Sequence, residues 1–455
     1  MTTSAQDEQA SHKLPYQLPL AALASAFGAY LGAAAYLGLP SLDLPPVLAA
    51  LVYGIAIVGG AFILSWAAEA AQVDINAGLA LALLALLAVL PEYAVDFVFT
   101  WRCGNTWAQG PPGLTGESNV CSLALANMTG ANRVLVGIGW PLVVLVAALA
   151  VWRARKAGTA SEESTSPSTR GGEVRLAPAM ATEVTFLGIA TLYSLTLPLK
   201  STLTLWDSAV FILIFALYAW RLSRMSPTEP DLIGVSHWVG SKEKRPRRSW
   251  VIGMFVVAAI IILLTAEHFA ESLVQTGEQL GISQFLLVQW VAPLASESPE
   301  LIVACLYAWR LKAGDSLGTL LSSKVNQWTL LVGSLPLVFA ISALTMHGLP
   351  IDTQQRFELL ITAAQSLFAV SILIDRSLTF KGAIALLSLF LVQFFVSVSA
   401  GTQVNRITII VLSILYGILA IAQFAWNYRN TIQTVKDGTV TPFDQLSDDP
   451  SGRVR

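Results

Sequence analysis

Apolar runs of about 20 residues recur along this sequence from one end to the other, and they constrain its fold more than any motif does. Hydrocarbon cannot hydrogen-bond a bare backbone, so runs of this length without strand-like alternation cross a membrane as helices that pair their own peptide groups. Composition agrees: 55% of the 455 residues are hydrophobic and only 12% are charged, against about 25% charged in a soluble domain. Mean hydropathy is +0.63. The expected fold is all-α, a polytopic membrane protein of about 12 transmembrane helices.

The runs fall into groups. A first helix at 18–39 precedes five spans at 46–70, 75–101, 119–152, 180–197 and 203–219. Five more follow at 250–270, 282–309, 317–346, 357–374 and 383–398, and a last helix covers 407–426. The third span of each five is too long for one straight crossing, and Pro141 and Pro336 predict kinks there. The expected organisation is an N-terminal tail and extra helix (1–45), a first repeat (46–222) with a loop at 153–179, and a basic linker (223–248). A second repeat (249–399), an extra C-terminal helix (400–428) and a tail (429–455) complete it. The opening "MTTSAQDEQASHKLPYQ" lacks the basic start of a signal peptide, so the first helix is expected to be retained.

Lysine and arginine set the orientation. Arg153, Arg155, Lys156, Arg170 and Arg175 follow the fourth span, and Lys242, Lys244, Arg245, Arg247 and Arg248 follow the sixth. Arg310 and Lys312 follow the eighth, and Arg376 and Lys381 the tenth. All these loops share one side, expected to be cytoplasmic together with both termini, in a multi-pass protein of the cell (inner) membrane. Cys103 and Cys121 flank a loop of the other side, where a disulfide or two free thiols are both compatible with the sequence.

Within "LPEYAVDFVFTWR" (90–102), Pro91, Glu92, Val95, Trp101 and Arg102 reappear at the same spacing in "SPELIVACLYAWR" (298–310) as Pro299, Glu300, Val303, Trp309 and Arg310. The neighbouring spans match more loosely, Glu69 against Glu267, and "ANMTGANRVLVGIGWPLVV" against "GTLLSSKVNQWTLLVGSLPLVF". The chain is therefore a duplication of five spans. An odd number of crossings inverts the second copy, an arrangement common among secondary transporters. Each proline leaves the carbonyl four residues earlier unpaired, and the glutamate after it is expected in the first turn of a new half-helix, where the dipole favours negative charge. Carbonyl, carboxylate and nearby hydroxyl or amide oxygens suit Na⁺, Ca²⁺ or H⁺.

These residues resemble the calcium/cation antiporter superfamily, of the sodium/calcium exchanger type. Its repeats carry G-T-S-x-P-E on one helix and G-N-x-x-G-S-N-x-x-N on the next. Here the first element reads "AVLPE" and "SESPE", the second "ANMTGANRVL" and "GTLLSSKVNQ". The resemblance implies two inverted bundles of five helices, with one extra helix at each end here, and cations held where the four central helices meet. It implies a secondary antiporter exchanging Na⁺ and/or Ca²⁺ around Glu92 and Glu300, with a Na⁺/H⁺ or Ca²⁺/H⁺ exchanger as the alternative. The Thr-Ser before Pro-Glu becomes Ala88 and Val89 in one copy, and Ser296 and Glu297 in the other. On the partner helix Ser322 and Asn326 keep the ligand spacing in the second copy. In the first copy one register places Ala131 and Leu135 there, and a register on Gly139 and Gly333 places Met128 and Asn132, with Asn127 a further candidate.

Arg133 and Lys324 have no counterpart in the family pattern. A base within a span is normally paired, and Asp96 and Glu297 are the expected partners, with Ser323 beside Lys324. Such pairs either lock the central helices or place a tethered cation in a former ion site. They also allow a rival of another class, a transport-inactive membrane protein whose site is closed by salt bridges. His268 and Glu271 lack the second histidine of a metalloprotease helix. No phosphate-binding loop, nucleophile elbow or basic nucleic-acid patch is present in the sequence. The expected partners are the lipid bilayer and inorganic cations, with no nucleic acid. No cofactor is expected, the transported ion being substrate, and the residues do not specify the oligomeric state.

Overall fold

The computed structural model describes residues 14–74, 90–110, 120–156 and 169–446, apart from 171, 226–231 and 233. The fold is helical, with α1 (Gln17–Leu37), α2 (Pro46–Ala71), α3 (Leu90–Ala108), α4 (Val120–Lys156), α5 (Ala181–Ser194) and α6 (Leu205–Leu222) in the first half. A short α7 (Val235–Gly240) leads to α8 (Lys244–Leu280), α9 (Gln284–Trp309), α10 (Ala313–Ala343), α11 (Thr353–Ile372) and α12 (Phe380–Ser399). Then come α13 (Thr402–Trp426) and the short α14 (Tyr428–Thr439). Ten helices among the described residues are long and apolar enough to cross a membrane; α3 and α9, which carry the Pro-Glu pairs, stand outside that ten.

The two halves, α2–α6 and α8–α12, are inverted repeats, and their loops show it. Strand β1 (Thr169–Arg170) pairs with β2 (Glu173–Arg175), and β2 with β5 (Ser377–Thr379), while β3 (Thr202–Leu203) pairs with β4 (Leu349–Pro350). In these pairs Val174 faces Leu378 and Leu203 faces Leu349. Position 349 lies 175 after 174, just as 378 lies 175 after 203. The backbone bonds from Leu176 to Arg376 and from Ile351 to Ser201 obey the same shift. Each repeat therefore lends one strand to the other, at two opposite ends of the bundle. Thr204 and Thr379, again 175 apart, cap the helices that follow with their side-chain oxygens.

Other contacts sort the connections into the same two sets. At the first end Asp74 meets Arg247, Thr434 of α14 donates to the Ile374 carbonyl, and Arg221 donates to the Asp437 and Gly438 carbonyls. At the second, Gln355 donates to the Cys121 and Ser122 carbonyls and Arg356 to that of Pro198. Cys103 and Cys121 are joined by a disulfide there. The extra helices lie outside the repeats: α1 packs on α2 and α8, α13 on α11, and α14 on α5.

The helices run on past Pro141 and Pro336. Each follows a π-helical turn, Leu135–Gly139 in α4 and Gln327–Leu331 in α10, and the helix continues to Lys156 and Ala343. The wider turn takes up the extra residue, so that Trp140 bonds back to Leu135 and the proline is passed without a break. The expected new half-helix at Pro299 is not formed, because α9 runs unbroken from Gln284 to Trp309. Pro299 supplies no N–H for the Ala295 carbonyl, and the hydroxyls of Ser296 and Ser298 bond the neighbouring Ala292 and Leu294 carbonyls instead. The matching expectation for Pro91 and Glu92 turns on the residues before Leu90, which lie outside the described ones together with Ala88 and Val89.

Candidate functional site

The four helices α3, α4, α9 and α10 meet at the centre of the molecule. Gly130 of α4 permits one crossing: a Cβ there would lie 1.7 Å from the Gln289 carbonyl oxygen of α9, so any side chain would push the two helices apart.

Glu92 and Glu297 are almost fully buried, at 1% and 2% exposure, and Glu300 is partly so. Glu297 lies within hydrogen-bonding reach of both Glu92 and Glu300, joining carboxyls of the two repeats into one cluster. The Gln327 amide bridges it, donating to Glu92 Oε2 at 2.9 Å and to Glu297 Oε1. Ser323 donates to Glu300 Oε2 at 3.0 Å. One turn beyond Glu92, Asp96 is wholly buried and accepts from Asn127 Nδ2 at 2.9 Å. Tyr93 donates to Asn326 Oδ1 at 3.2 Å. Ser296 is buried and turned back on its own helix, and Asn132 donates to the Met128 carbonyl.

The cluster holds more acceptors than donors. Glu92 Oε1, Asp96 Oδ2, Asn127 Oδ1, Glu297 Oε2 and Gln327 Oε1 are buried and receive no hydrogen bond from a described residue. Orphaned buried oxygens at this density call for a missing positive partner, an ion or protons. Electrostatics says the same: two carboxylates about 3 Å apart, at an effective dielectric of about 20, repel by roughly 5 kcal/mol. Adjacent carboxyls therefore need a proton or a cation between them.

The expected salt bridges are not formed. Arg133 reaches away from Asp96 and pairs with Glu358 of α11 at 2.7 Å, both side chains at most 2% exposed, with its guanidinium over Trp290. Asp96 takes Asn127 instead. Lys324 makes no ion pair with Glu297 or any other described residue. Its ammonium donates to the Asn132 carbonyl oxygen at 2.9 Å and to Asn132 Oδ1 at 2.7 Å, tying α10 to α4. Neither arrangement closes the cluster with a salt bridge, so the rival reading of a salt-bridged, inactive protein loses its premise. Ser322 also departs from expectation: it turns toward Tyr218 of α6, and its neighbour Ser323 is the serine that meets the glutamates. Glu267 pairs with Arg102 at 3.3 Å and accepts from Tyr36, while Glu69 accepts from Ser236. The carboxyl cluster is not drawn together as a closed cage in this structure: among the described residues no three His, Cys, Asp or Glu are placed to hold one metal ion.

Sequence reasoning missed Gln327, Tyr93 and Glu358. Gln327 directly follows Asn326, and Glu358 is an acid inside a predicted apolar span. The 175-residue shift, which aligns Glu183 with Glu358, was the available signal for the latter.

Two inverted five-helix repeats closed around a buried cluster of carboxyls are the architecture of a secondary cation antiporter. The model of the sodium/calcium exchanger protein family matches residues 46–223 and 250–425, and the chain belongs to that family. The crystal structure of the H⁺/Ca²⁺ exchanger CAX is similar over 94% of this chain and 98% of that one, with 36% identity and a TM-score of 0.78. The Ca²⁺/H⁺ antiporter protein YfkE shares the fold at 14% identity and a TM-score of 0.54, over 88% of this chain and all of that one. A putative antiporter, CaxA of Alkalimonas amylolytica, is 27% identical over 130 residues. That match covers 28% of this chain and 39% of the relative's length. The family is one of transporters, not of enzymes.

Proposed function

We propose that the protein exchanges Ca²⁺ for H⁺ across the cell membrane by alternating access, with Glu92, Glu297 and Glu300 as the groups that carry either ion. The observation behind this reading is the contact of three carboxyls across the two repeats. Such a cluster cannot stay empty. It holds protons, or it gives them up to a divalent cation bound by the same oxygens. Occupancy by one ion excludes the other, and that exclusion is what couples two opposed fluxes.

Asp96, Asn127, Asn326, Ser323 and Gln327 complete the oxygen-rich surroundings. Two features favour protons over Na⁺ as the counter-ion. The family's hydroxyl pair before Pro-Glu is replaced by Ala88 and Val89 in the first repeat, and by Ser296 and Glu297 in the second. The exchanger CAX, named for H⁺ and Ca²⁺, is similar over nearly the whole chain. The basic ends of the helices face the cytoplasm in this reading, with both termini on that side.

The test is flux into vesicles of purified protein loaded with a Ca²⁺ indicator. A pH gradient should drive Ca²⁺ against its gradient, with counterflow of protons. Uptake driven by Na⁺ and indifferent to the pH gradient would replace H⁺ by Na⁺. No cation movement under any gradient would end the transport reading.

A further inference from the structure

The two repeats carry the same acid and the same base near their ends, and only one of the two pairs is formed. Glu267 of α8 pairs with Arg102 of α3 at 3.3 Å, and Arg102 also approaches Glu271 at 3.9 Å. The mates of Glu267 and Arg102 in the other repeat are Glu69 of α2 and Arg310, which stands just past the last turn of α9. Position 267 lies 198 after 69, just as α8 begins at 244, 198 after the start of α2 at 46. Each arginine lies ten residues beyond the glutamate of its Pro-Glu pair, about 15 Å of helix. The two sets therefore stand on opposite sides of the carboxyl cluster.

The helices that carry them are matched as well, since α2 packs on α9 and α8 on α3. Yet Arg310 is exposed and makes no ion pair with a described residue, and Glu69 accepts instead from Ser236 of α7. The neighbouring helices differ in the same sense. At the second end Ser342 of α10 donates to the Trp101 carbonyl of α3 at 2.6 Å, and a Cβ on Gly104 would lie 2.6 Å from the Ser342 side chain. So α3 and α10 touch beside Arg102. At the first end a cavity of about 420 Å³ lies between α4 and α9, lined by Leu142, Val146, Cys305 and Trp309 among others.

We propose that Arg102–Glu267 and Arg310–Glu69 are two ionic clasps that form in turn, one at each face of the protein. The clasp of the second end is closed in this structure. The clasp of the first end closes when the two repeats exchange conformations, as inverted repeats can. Glu69 then leaves Ser236 for Arg310, and α9 moves toward α4 and fills the cavity. With its side chains 32% and 44% exposed, the Arg102–Glu267 pair is screened by water. It shifts the balance between two states a few-fold and locks neither, which suits a part that must open in every cycle. This proposal rests on the alternating access of the proposed exchange and adds the residues that hold each face shut.

Cys305 reports the conformation, because it lines the cavity that should close and the other two cysteines of the chain are joined in the disulfide. The measurement is the rate at which a membrane-permeant thiol reagent labels Cys305 in full-length protein held in lipid vesicles. Arg102→Gln breaks the closed clasp and should slow labelling about threefold. Glu267→Gln carries the same test if Arg102→Gln does not fold. Arg310→Gln alone should leave the native rate, since Arg310 has no ion-pair partner to lose here among the described residues. Added to Arg102→Gln it should bring labelling back to the native rate, because neither state then has its clasp. Native labelling in a folded Arg102→Gln or Glu267→Gln protein would overturn the proposal, and so would a slowed rate that Arg310→Gln does not reverse. None of these readings uses transport. A native protein that moves no Ca²⁺ under a pH gradient would fail the Ca²⁺/H⁺ reading, and the labelling rates would still decide the clasps.

Discussion

At the scale of single residues, function rests on which charges are free to change partner. In the proposed exchange Glu92 and Glu300 each offer a carboxylate to a shared ion. One unit charge at about 4 Å and an effective dielectric of about 20 is worth roughly 4 kcal/mol, about a thousandfold in affinity. Glu92→Gln and Glu300→Gln should each weaken cation binding by about that factor while the protein stays folded, as a binding titration on purified protein would reveal. Native affinity in both variants would place the ion elsewhere. Lys324 works in the opposite direction. Its ammonium occupies Asn132, and it lies close enough to Glu92 and Glu297 to interact with both electrostatically. In the proposed exchange a transported cation binds close to this tethered amine. Lys324→Met removes that charge and frees the Asn132 oxygens, so Ca²⁺ affinity should rise by roughly tenfold or more in the same titration. Unchanged affinity in a folded variant would make Lys324 a purely structural tie between α4 and α10.

At the scale of elements, a latch holds the linker to the first repeat. Asp74, in the turn after α2, accepts from Arg247 at 2.7 and 2.9 Å, and Arg248 approaches it at 3.7 Å. Arg247 also donates to the Gly240 and Lys242 carbonyls, fixing the end of α7. The Arg247 guanidinium holds the Asp74 carboxyl below the usual carboxylate range. A depressed value in the folded state means that the contribution is complete above the unfolded value, about 3.9, and is lost as pH falls through the folded one. Asp74→Asn should therefore cost about 2 kcal/mol at pH 7, with the gap to the native protein closing as pH drops below about 4. Thermal unfolding at both pH values measures it, and a gap that persists in acid would exclude the ion pair as its cause. The helices themselves were legible, because an apolar run of membrane length has one stable solution, and so were the Pro-Glu pairs. The pairings were not, because they depend on which way a side chain leaves its helix. A turn of 3.6 residues sends Ser322 and Ser323 to different neighbours, and the sequence does not say which neighbour stands where. The π-helical turns add a second difficulty. They begin 192 residues apart, at 135 and 327, whereas Gly139 and Gly333 are 194 apart. No single offset superposes α4 on α10, which is why the register of the first repeat stayed open.

At the scale of the whole molecule, the contacts divide the connections into two faces, and the lysines and arginines cluster on one of them. The Asp74–Arg247 latch, β1, β2 and β5, and α14 share that face. The disulfide, β3 and β4 share the other. Single cysteines introduced at Lys242 and at Met346, in a background with Cys305→Ser, should react with an impermeant reagent from opposite sides of the membrane. Met346 is 84% exposed, so access does not limit the reaction there. Labelling from one side alone would contradict the inverted arrangement.

The exchanged strands also speak to how such a chain arises and assembles. Because β2 closes on β5 and β3 on β4 with the same 175-residue shift, either repeat alone leaves two backbone edges unpaired. A single ancestral repeat inserted in both orientations would have closed both edges by forming an antiparallel homodimer. The present chain holds both halves in that paired arrangement within one polypeptide, so two halves made as separate polypeptides cut within the linker should still assemble through the same edges.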